Sequence, residues 1–295
     1  MTTRKIILFS SIMLLFTSCN KLDVVGIIKG QSPTVEERFK QSMEYNAQNP
    51  IPDIIASRDD YSIFVCADLH AEKADRWIEP FGEQVVADET TEPFGLCLGD
   101  LVFCTGVQGV VWDAFQPLRD DGYNLFMAIG NHDLYFNEWK EFAKYWHTTA
   151  YSFRVVTPLA GTDLYITFDS AEGTLGVSQL EWLRNQLKEA YSQDYRHIIL
   201  FTHTHFFKRD ISQANTSNYN AEETVELLTM FAQYGVDYVL TGHDHYYEHT
   251  EYRGVDYYTL NAMSEYDEHA SYYRMTLSDN LTLEEIRLDE HLTYT

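Results

Sequence analysis

Cysteine is scarce, with 4 in 295 residues. Beyond Cys19 three remain, and an odd number makes a poor disulfide framework even in an oxidising compartment. No structural bridge is expected. Cys66 and Cys97 lie in apolar, strand-like runs, where a thiol serves as a small hydrophobe. Neither shows the close Cys/Cys spacing of a zinc knuckle. Basic residues are also few, 21 against 45 acidic ones, for a formal net charge of -24. That balance repels a phosphate backbone unless metals or a local basic patch intervene, so a long nucleic acid is not an expected substrate. It equally argues against electrostatic docking on anionic lipid, which leaves a hydrophobic or covalent tie as the route to a membrane. Internal repeats and low-complexity tracts are absent.

What is present begins with a targeting signal. Arg4 and Lys5 precede an apolar run, 6–16, too short to span a bilayer, which marks 1–18 as a signal peptide. Small Thr17 and Ser18 precede Cys19, and the run Leu-Leu-Phe-Thr-Ser-Cys ending there resembles a bacterial lipobox, departing from it at Phe16, where an aliphatic residue is usual. The resemblance implies a lipidated Cys19 and a membrane tie at the bacterial cell envelope, on its periplasmic or outer-surface side. Ordinary secretion with a free cysteine is the alternative. Residues 19–57 read as a tether with one helix: Thr34 and Glu37 fit a capping box, Val35, Phe39 and Met43 repeat at helical spacing, and Asn49, Pro50 and Pro52 end it. This helix is expected on the outside of the domain, with no catalytic part. The chain is 45% hydrophobic and 15% aromatic, enough for residues 58–295 to bury one large core.

From Tyr61 onward short β-rich runs alternate with helical ones, the signature of β/α units. Strands are expected at 61–67, 94–98, 124–129, 197–201 and 236–240, helices at 177–191 and 221–234. Further strand-like runs at 151–156, 163–168, 257–260, 272–277 and 281–288 lack long helices between them and suggest antiparallel additions. The composition therefore reads as α/β (α+β mixed) with mixed sheets. Each of the first five strands runs directly into a polar motif. In open α/β sheets functional groups collect beyond the carboxyl ends of strands, so five separated segments can share one crevice.

The motifs supply metal ligands. Asp68 and His70, one residue apart, can turn to the same side as they leave a strand. Gly99 lets the backbone bend so that Asp100, whose carboxylate can bridge two cations, enters the crevice, and Gly130 does the same for Asn131 and His132. His243 and His245, again one residue apart, follow Gly242, and His203 adds another imidazole. Such donors suit Zn, Fe and similar ions. Singly, each residue has a bland alternative as a hydrogen-bonded core His or a helix-capping Asp. Jointly, order, spacing and strand-end position make coincidence improbable.

This combination, with the Gln179, Trp182, Leu183 and Leu187 helix, resembles the calcineurin-like metallophosphoesterase superfamily from about Tyr61 to about Leu260. The resemblance implies a four-layer αββα sandwich of two mixed β-sheets flanked by helices. It implies two metal ions, of Mn, Fe, Zn or Co, with Asp68, His70 and His245 on the first, Asn131, His203 and His243 on the second, and Asp100 bridging. Two such cations about 3.5 to 4 Å apart clamp a phosphate and acidify a bridging water to the attacking hydroxide. His132 is left as general acid or transition-state stabiliser. No serine or cysteine nucleophile is required. His205 stands where many relatives carry proline and is an outer-shell candidate. One departure matters: protein Ser/Thr phosphatases read Gly-Asp-x-x-Asp-Arg-Gly, whereas here Gly99, Asp100, Leu101, Val102, Phe103 and Cys104 supply neither the second Asp nor the Arg. What orients His132 is then open, and Asp133 either helps or caps a helix over 137–146. Tyr135, Phe136, Phe206, Phe207, Tyr246 and Tyr247 flank the motifs, as packing or as stacking surfaces for a base or sugar. Lys208 and Arg209 meet phosphate or only solvent. The expected activity is hydrolysis of a small phosphomonoester or phosphodiester. A nucleotide or nucleoside-diphosphate pyrophosphatase, or a non-catalytic lipoprotein that binds a phosphorylated ligand, are the alternatives.

Overall fold

A computed structural model describes residues 32–72, 78–103, 106–207, 219–264 and 270–288. The signal peptide, Cys19, Cys104, Lys208 and Arg209 fall outside the described residues. In chain order the elements are α1 (Val35–Gln48), β1 (Ile54–Ile55), β2 (Tyr61–Cys66), α2 (Ile78–Ala87), β3 (Thr91–Cys97), α3 (Gln108–Ala114), α4 (Gln116–Asp120), β4 (Asn124–Met127), a 3-10 turn (His132–Asn137) and α5 (Trp139–Tyr145). They continue with β5 (Tyr151–Val156), β6 (Thr162–Thr167), α6 (Gly176–Tyr191), β7 (His197–Phe201), α7 (Ala221–Gln233), β8 (Tyr238–Thr241), β9 (Glu248–Tyr252), β10 (Val255–Thr259), β11 (Ser271–Leu277) and β12 (Leu281–Arg287).

Two mixed sheets result. The larger runs β1-β5-β6-β7-β8-β10-β9 and the smaller β12-β11-β2-β3-β4. β6, β7, β8 and β10 are parallel, as are β2, β3 and β4, while β5/β6, β9/β10, β2/β11 and β11/β12 are antiparallel. Strand alternation sorts the core. In β2, Ile63 and Val65 point inward to meet Tyr165, Ile199, Phe201 and Leu240 of the larger sheet, whereas Phe64 and Cys66 point outward against Phe81, Val85 and Phe115 of the helical layer. The far face of the larger sheet packs Leu164, Ile166 and Leu200 on Leu183, Leu187, Leu227 and Phe231 of α6 and α7. Because parallel strands are covered on both faces, β2 and β7 are apolar almost throughout rather than alternating. The layers are helix, sheet, sheet, helix, the expected αββα sandwich. Cys66 and Cys97 sit in register across β2 and β3 as buried free thiols.

The expected elements recur with ends shifted by one to three residues, the largest shift being the start of β3 at Thr91 rather than Phe94. Those not anticipated have local causes: Pro80 and Gly82 interrupt the helical pattern of α2, and β9, Glu-His-Thr-Glu-Tyr, is a half-solvated edge strand held by β10. The α1 capping box forms, with Thr34 Oγ1 accepting from the Glu37 amide at 3.3 Å and the Glu37 carboxylate accepting from the Thr34 amide at 2.8 Å. α1 lies outside the sandwich against α6, but it is no loose tether. Arg38 on its inner face is fully buried, with Nε and Nη2 donating to the Asp169 carboxylate at 2.7 and 3.1 Å. Gln179 in turn brackets the Asp169 main chain, accepting from its amide and donating to its carbonyl, both at 2.8 Å. β1 then adds an edge strand to the larger sheet.

Arg38→Ala leaves Asp169 buried without its countercharge. The expected loss is about 3 kcal/mol or more of unfolding free energy, read from the urea midpoint at unchanged slope; a loss under about 0.5 kcal/mol would show that the pair contributes little net stability.

Candidate metal centre

Five segments deliver polar side chains to one place: those after β2 (Asp68, His70), β3 (Asp100), β4 (Asn131, His132), β7 (His203) and β8 (His243, His245). Main-chain bonds tie these segments in pairs. The Asp68 and His70 amides donate to the Gly99 and Asp100 carbonyls at 3.1 and 3.0 Å, and the Gly242 amide donates to the His203 carbonyl at 3.0 Å. The mechanism of turning differs from simple strand alternation. Asp68, His70, Asp100, His243 and His245 all have left-handed backbone, with φ of 51, 45, 51, 80 and 55°. Such conformations cost a non-glycine residue about 1 kcal/mol or more, and here they concentrate at the crevice.

Two glycines are explained by approach. A Cβ on Gly130 would collide with the Asp100 carboxylate and amide, and one on Gly242 would collide with the Asp68 carboxylate. Removing those atoms lets each carboxylate lie against the neighbouring loop, where the amide of His132 donates to Asp100 Oδ1 at 2.8 Å and that of His243 donates to Asp68 Oδ2 at 2.9 Å.

The side chains then form two adjoining groups. In one, Asp68 Oδ1 lies 3.5 Å from His245 Nε2, and His70 Nε2 and His245 Nε2 are 3.0 Å apart. In the other, His203 Nε2 faces Asn131 Oδ1 at 3.1 Å and His243 Nδ1 at 3.0 Å. Asp100 Oδ2 sits between them, 3.6 Å from His70 Nε2 and 3.3 Å from His203 Nε2. His203 and His243 therefore face one another, and Asp100 reaches both groups.

The donor set fits cations. His203 Nδ1–H donates to the Leu98 carbonyl at 2.9 Å, which turns the Nε2 lone pair toward Asn131 Oδ1, Asp100 Oδ2 and His243 Nδ1. Four acceptor atoms facing one another are stable only around a proton or a metal ion. Burial opposes the charge on His203, yet the Asp100 carboxylate beside it raises the pKa to about 9. Burial lowers His70 to about 4 and His243 to about 3, leaving both imidazoles neutral. Despite its burial, Asp100 is held well below the usual carboxylate range by His203 and His132. Neutral imidazole and ionised carboxylate are the protonation states that ligate. His70 Nδ1 and His243 Nε2 are buried without a hydrogen-bond partner.

Three residues do what the motifs left open. His132 Nδ1–H donates to the Phe103 carbonyl at 2.9 Å, so a main-chain oxygen of the Asp100 loop orients the ring. Asp133 neither touches the His132 ring nor caps α5. It is fully buried and accepts from the amides of Leu101 and Gly130 and from Gln108 Nε2 at 3.0, 2.9 and 2.9 Å, locking the Asp100 and Asn131 loops together. Burial and the nearby Asp100 raise its carboxyl above the ordinary range. Tyr135 Oη accepts from Asn131 Nδ2 at 2.8 Å, which points the amide oxygen at His203. Of the other aromatics, Phe206 is buried and stacks on Tyr219, so it is packing, whereas Phe136 and Tyr247 are exposed.

A calcineurin-like phosphoesterase profile matches residues 61–247, and the chain belongs to that family. Its sequence is similar to serine/threonine-protein phosphatase CPPED1 of Rattus norvegicus, 29% identical over 191 residues; the match spans 58% of this chain and 58% of that relative. The fold is similar to GAP50, the anchor in the inner membrane complex of Plasmodium (TM-score 0.61, 14% identity, 81% of this chain and 88% of that one). It is also similar to purple acid phosphatase PPD1 from yellow lupin, Lupinus luteus (0.60, 17%, 83% and 54%), and to a dimetal phosphatase from Danio rerio (0.56, 12%, 77% and 98%).

Tyr135→Phe removes the acceptor that orients Asn131 while keeping the ring against His132. The expected result is a folded protein whose weaker metal site loses about 10- to 100-fold in affinity, measured by competition with a chromophoric chelator; unchanged affinity removes Tyr135 from the site.

Proposed function

We propose that the chain is a metal-dependent phosphoesterase that hydrolyses a small phosphomonoester or phosphodiester. The observation that carries this reading is the Asp100 carboxylate facing two donor groups at once, with His132 beside it and its ring edge-on to that of His70 at 4.5 Å. Asp68, His70 and His245 would hold one cation, Asn131, His203 and His243 the other, with Asp100 shared. When bound, the two ions supply Lewis acidity to the phosphoryl oxygens and to the attacking water.

The chain's own residues do the rest. Phe103 fixes the His132 ring through Nδ1, which leaves Nε2 to carry a proton to the departing oxygen. Gln108 and the Leu101 and Gly130 amides hold Asp133, which keeps the loops bearing Asp100 and His132 in register. Burial of Asp68, His203 and the Asp100 carboxylate keeps bulk water from competing for the donors.

The alternative is a non-catalytic protein that binds a phosphorylated ligand. The intact donor set with His132 at its edge argues for hydrolysis, because binding alone needs no proton donor. A pyrophosphatase would use the same groups, and the Rattus relative's name makes a phosphopeptide a further substrate to compare.

The test uses p-nitrophenyl phosphate, bis-p-nitrophenyl phosphate, an alkyl phosphate, a nucleoside diphosphate and a phosphopeptide, before and after chelation. Turnover of a simple ester that chelator abolishes and metal restores is expected; two bound metals with no turnover of any of them would leave the binding-protein reading. His132→Ala should retain its metals and lose about 10² to 10⁴ in turnover on the alkyl ester, and less on p-nitrophenyl phosphate, whose leaving group needs little protonation. An equal loss on both would remove His132 as the acid.

We also infer an envelope location through lipid on Cys19, supported by the lipobox-like run before it. Mass spectrometry of the mature protein should find an acylated Cys19 at the N-terminus; an unmodified terminus elsewhere overturns this.

A further inference from the structure

Beside the pair of donor groups lies a third, built from His205, Asp244 and the far side of His243. Ligating atoms of these three residues all lie within 4.8 Å of one another. His205 is 3% exposed; its ring meets the Phe207 main chain, while Nε2 makes no aligned hydrogen bond. Its Nε2 is 3.0 Å from Asp244 Oδ2, yet the two are out of line for a hydrogen bond. His243 turns Nδ1 toward His203 and keeps Nε2 buried and unpartnered; its ring lies 5.8 Å from that of His205, 30° from parallel. Asp244 is itself nearly buried, its side chain 6% exposed. Next to it the Tyr246 hydroxyl donates to Glu248 at 3.2 Å, so the wall of the group is acidic.

Two buried nitrogens without an aligned hydrogen bond, His205 Nε2 and His243 Nε2, are a large unmet demand, since each such atom costs about 1–3 kcal/mol when left unsatisfied. A proton between His205 and Asp244 must lie near the line joining them, and the rings are not set for that. A cation need only be within reach of all the donors. Two imidazoles and a carboxylate are a ligand set suited to Zn²⁺ and similar borderline ions, with bonds near 2.0–2.2 Å.

We propose that His205 Nε2, Asp244 Oδ2 and His243 Nε2 form a third divalent-cation site. His243 then joins this site to the neighbouring pair. To bind through both nitrogens, the ring gives up its remaining N–H proton to solvent and becomes an imidazolate. The assignment of His243 Nδ1 rests on the pair described above; His205 and Asp244 belong to the third site alone.

The test is metal stoichiometry. The full-length protein is stripped with chelator, reloaded with Zn²⁺, freed of excess metal and counted by elemental analysis, with anomalous scattering at the zinc edge to place each ion. Three ions are expected in the unaltered protein, and two in both Asp244→Asn and His205→Ala. Asp244→Asn keeps size and shape, so it serves if His205→Ala fails to fold. His203→Ala is the control for the pair and should lower the count independently.

Two ions in the unaltered protein, with two in each variant, would overturn the proposal and leave His205 and Asp244 as an ion pair. Three ions retained in the Asp244 and His205 variants would place the third ion elsewhere. Loss of two or more ions from folded Asp244→Asn would show that Asp244 supports the pair rather than holding its own ion. No metal in the unaltered protein, or no change in His203→Ala, would instead refute the pair.

Discussion

The whole site depends on one carboxylate being shared. Asp100 Oδ1 accepts from the His132 amide, and Oδ2 turns between His70 and His203. That arrangement requires the loops after β3 and β4 to approach more closely than any side chain on Gly130 would permit. It also requires a left-handed residue at Asp100 itself. Buried Asp133 holds the two loops from behind through main-chain amides, so the position of the shared oxygen is set by backbone hydrogen bonds rather than by the flexible reach of a side chain.

Strain and electrostatics converge on the same few residues. Five left-handed, non-glycine ligand candidates cost in sum about 5 kcal/mol or more, a sizeable part of the ordinary stability margin of a domain. The ladders between the Asp68 and Asp100 segments and across Gly242 offset part of this. Bound cations would offset more, because they replace the repulsion among facing lone pairs with attraction. The two sheets provide the frame: β2, β3 and β4 come from the smaller, β7 and β8 from the larger, and the crevice lies where their carboxyl ends meet.

Away from the site, α1 shows how a segment that reads as an appendage becomes part of the fold. The Arg38 guanidinium crosses into a buried niche beside Asp169, and Gln179 of α6 clamps the main chain of the same Asp. The Gln179 motif, which reads as packing, thus connects the N-terminal helix to the end of β6.

The donors themselves were legible in the amino-acid sequence, because short motifs such as Gly-Asn-His-Asp and Gly-His-Asp-His pair residue chemistry with the sharp turn that ends a strand. So were the strands that precede them, the capping box at Thr34 and Glu37, and the mixed α/β class. Other features came only from the tertiary structure. The orientation of His132 by the Phe103 carbonyl had no signal, since every residue carries a carbonyl. The roles of Asp133 and Tyr135 depend on which distant atoms face them, and β9 exists as a strand because β10 pairs with it. Local spacing determines what a loop can offer; which oxygen or nitrogen it presents, and to what, is decided when two sheets bring separate loops within 3 Å.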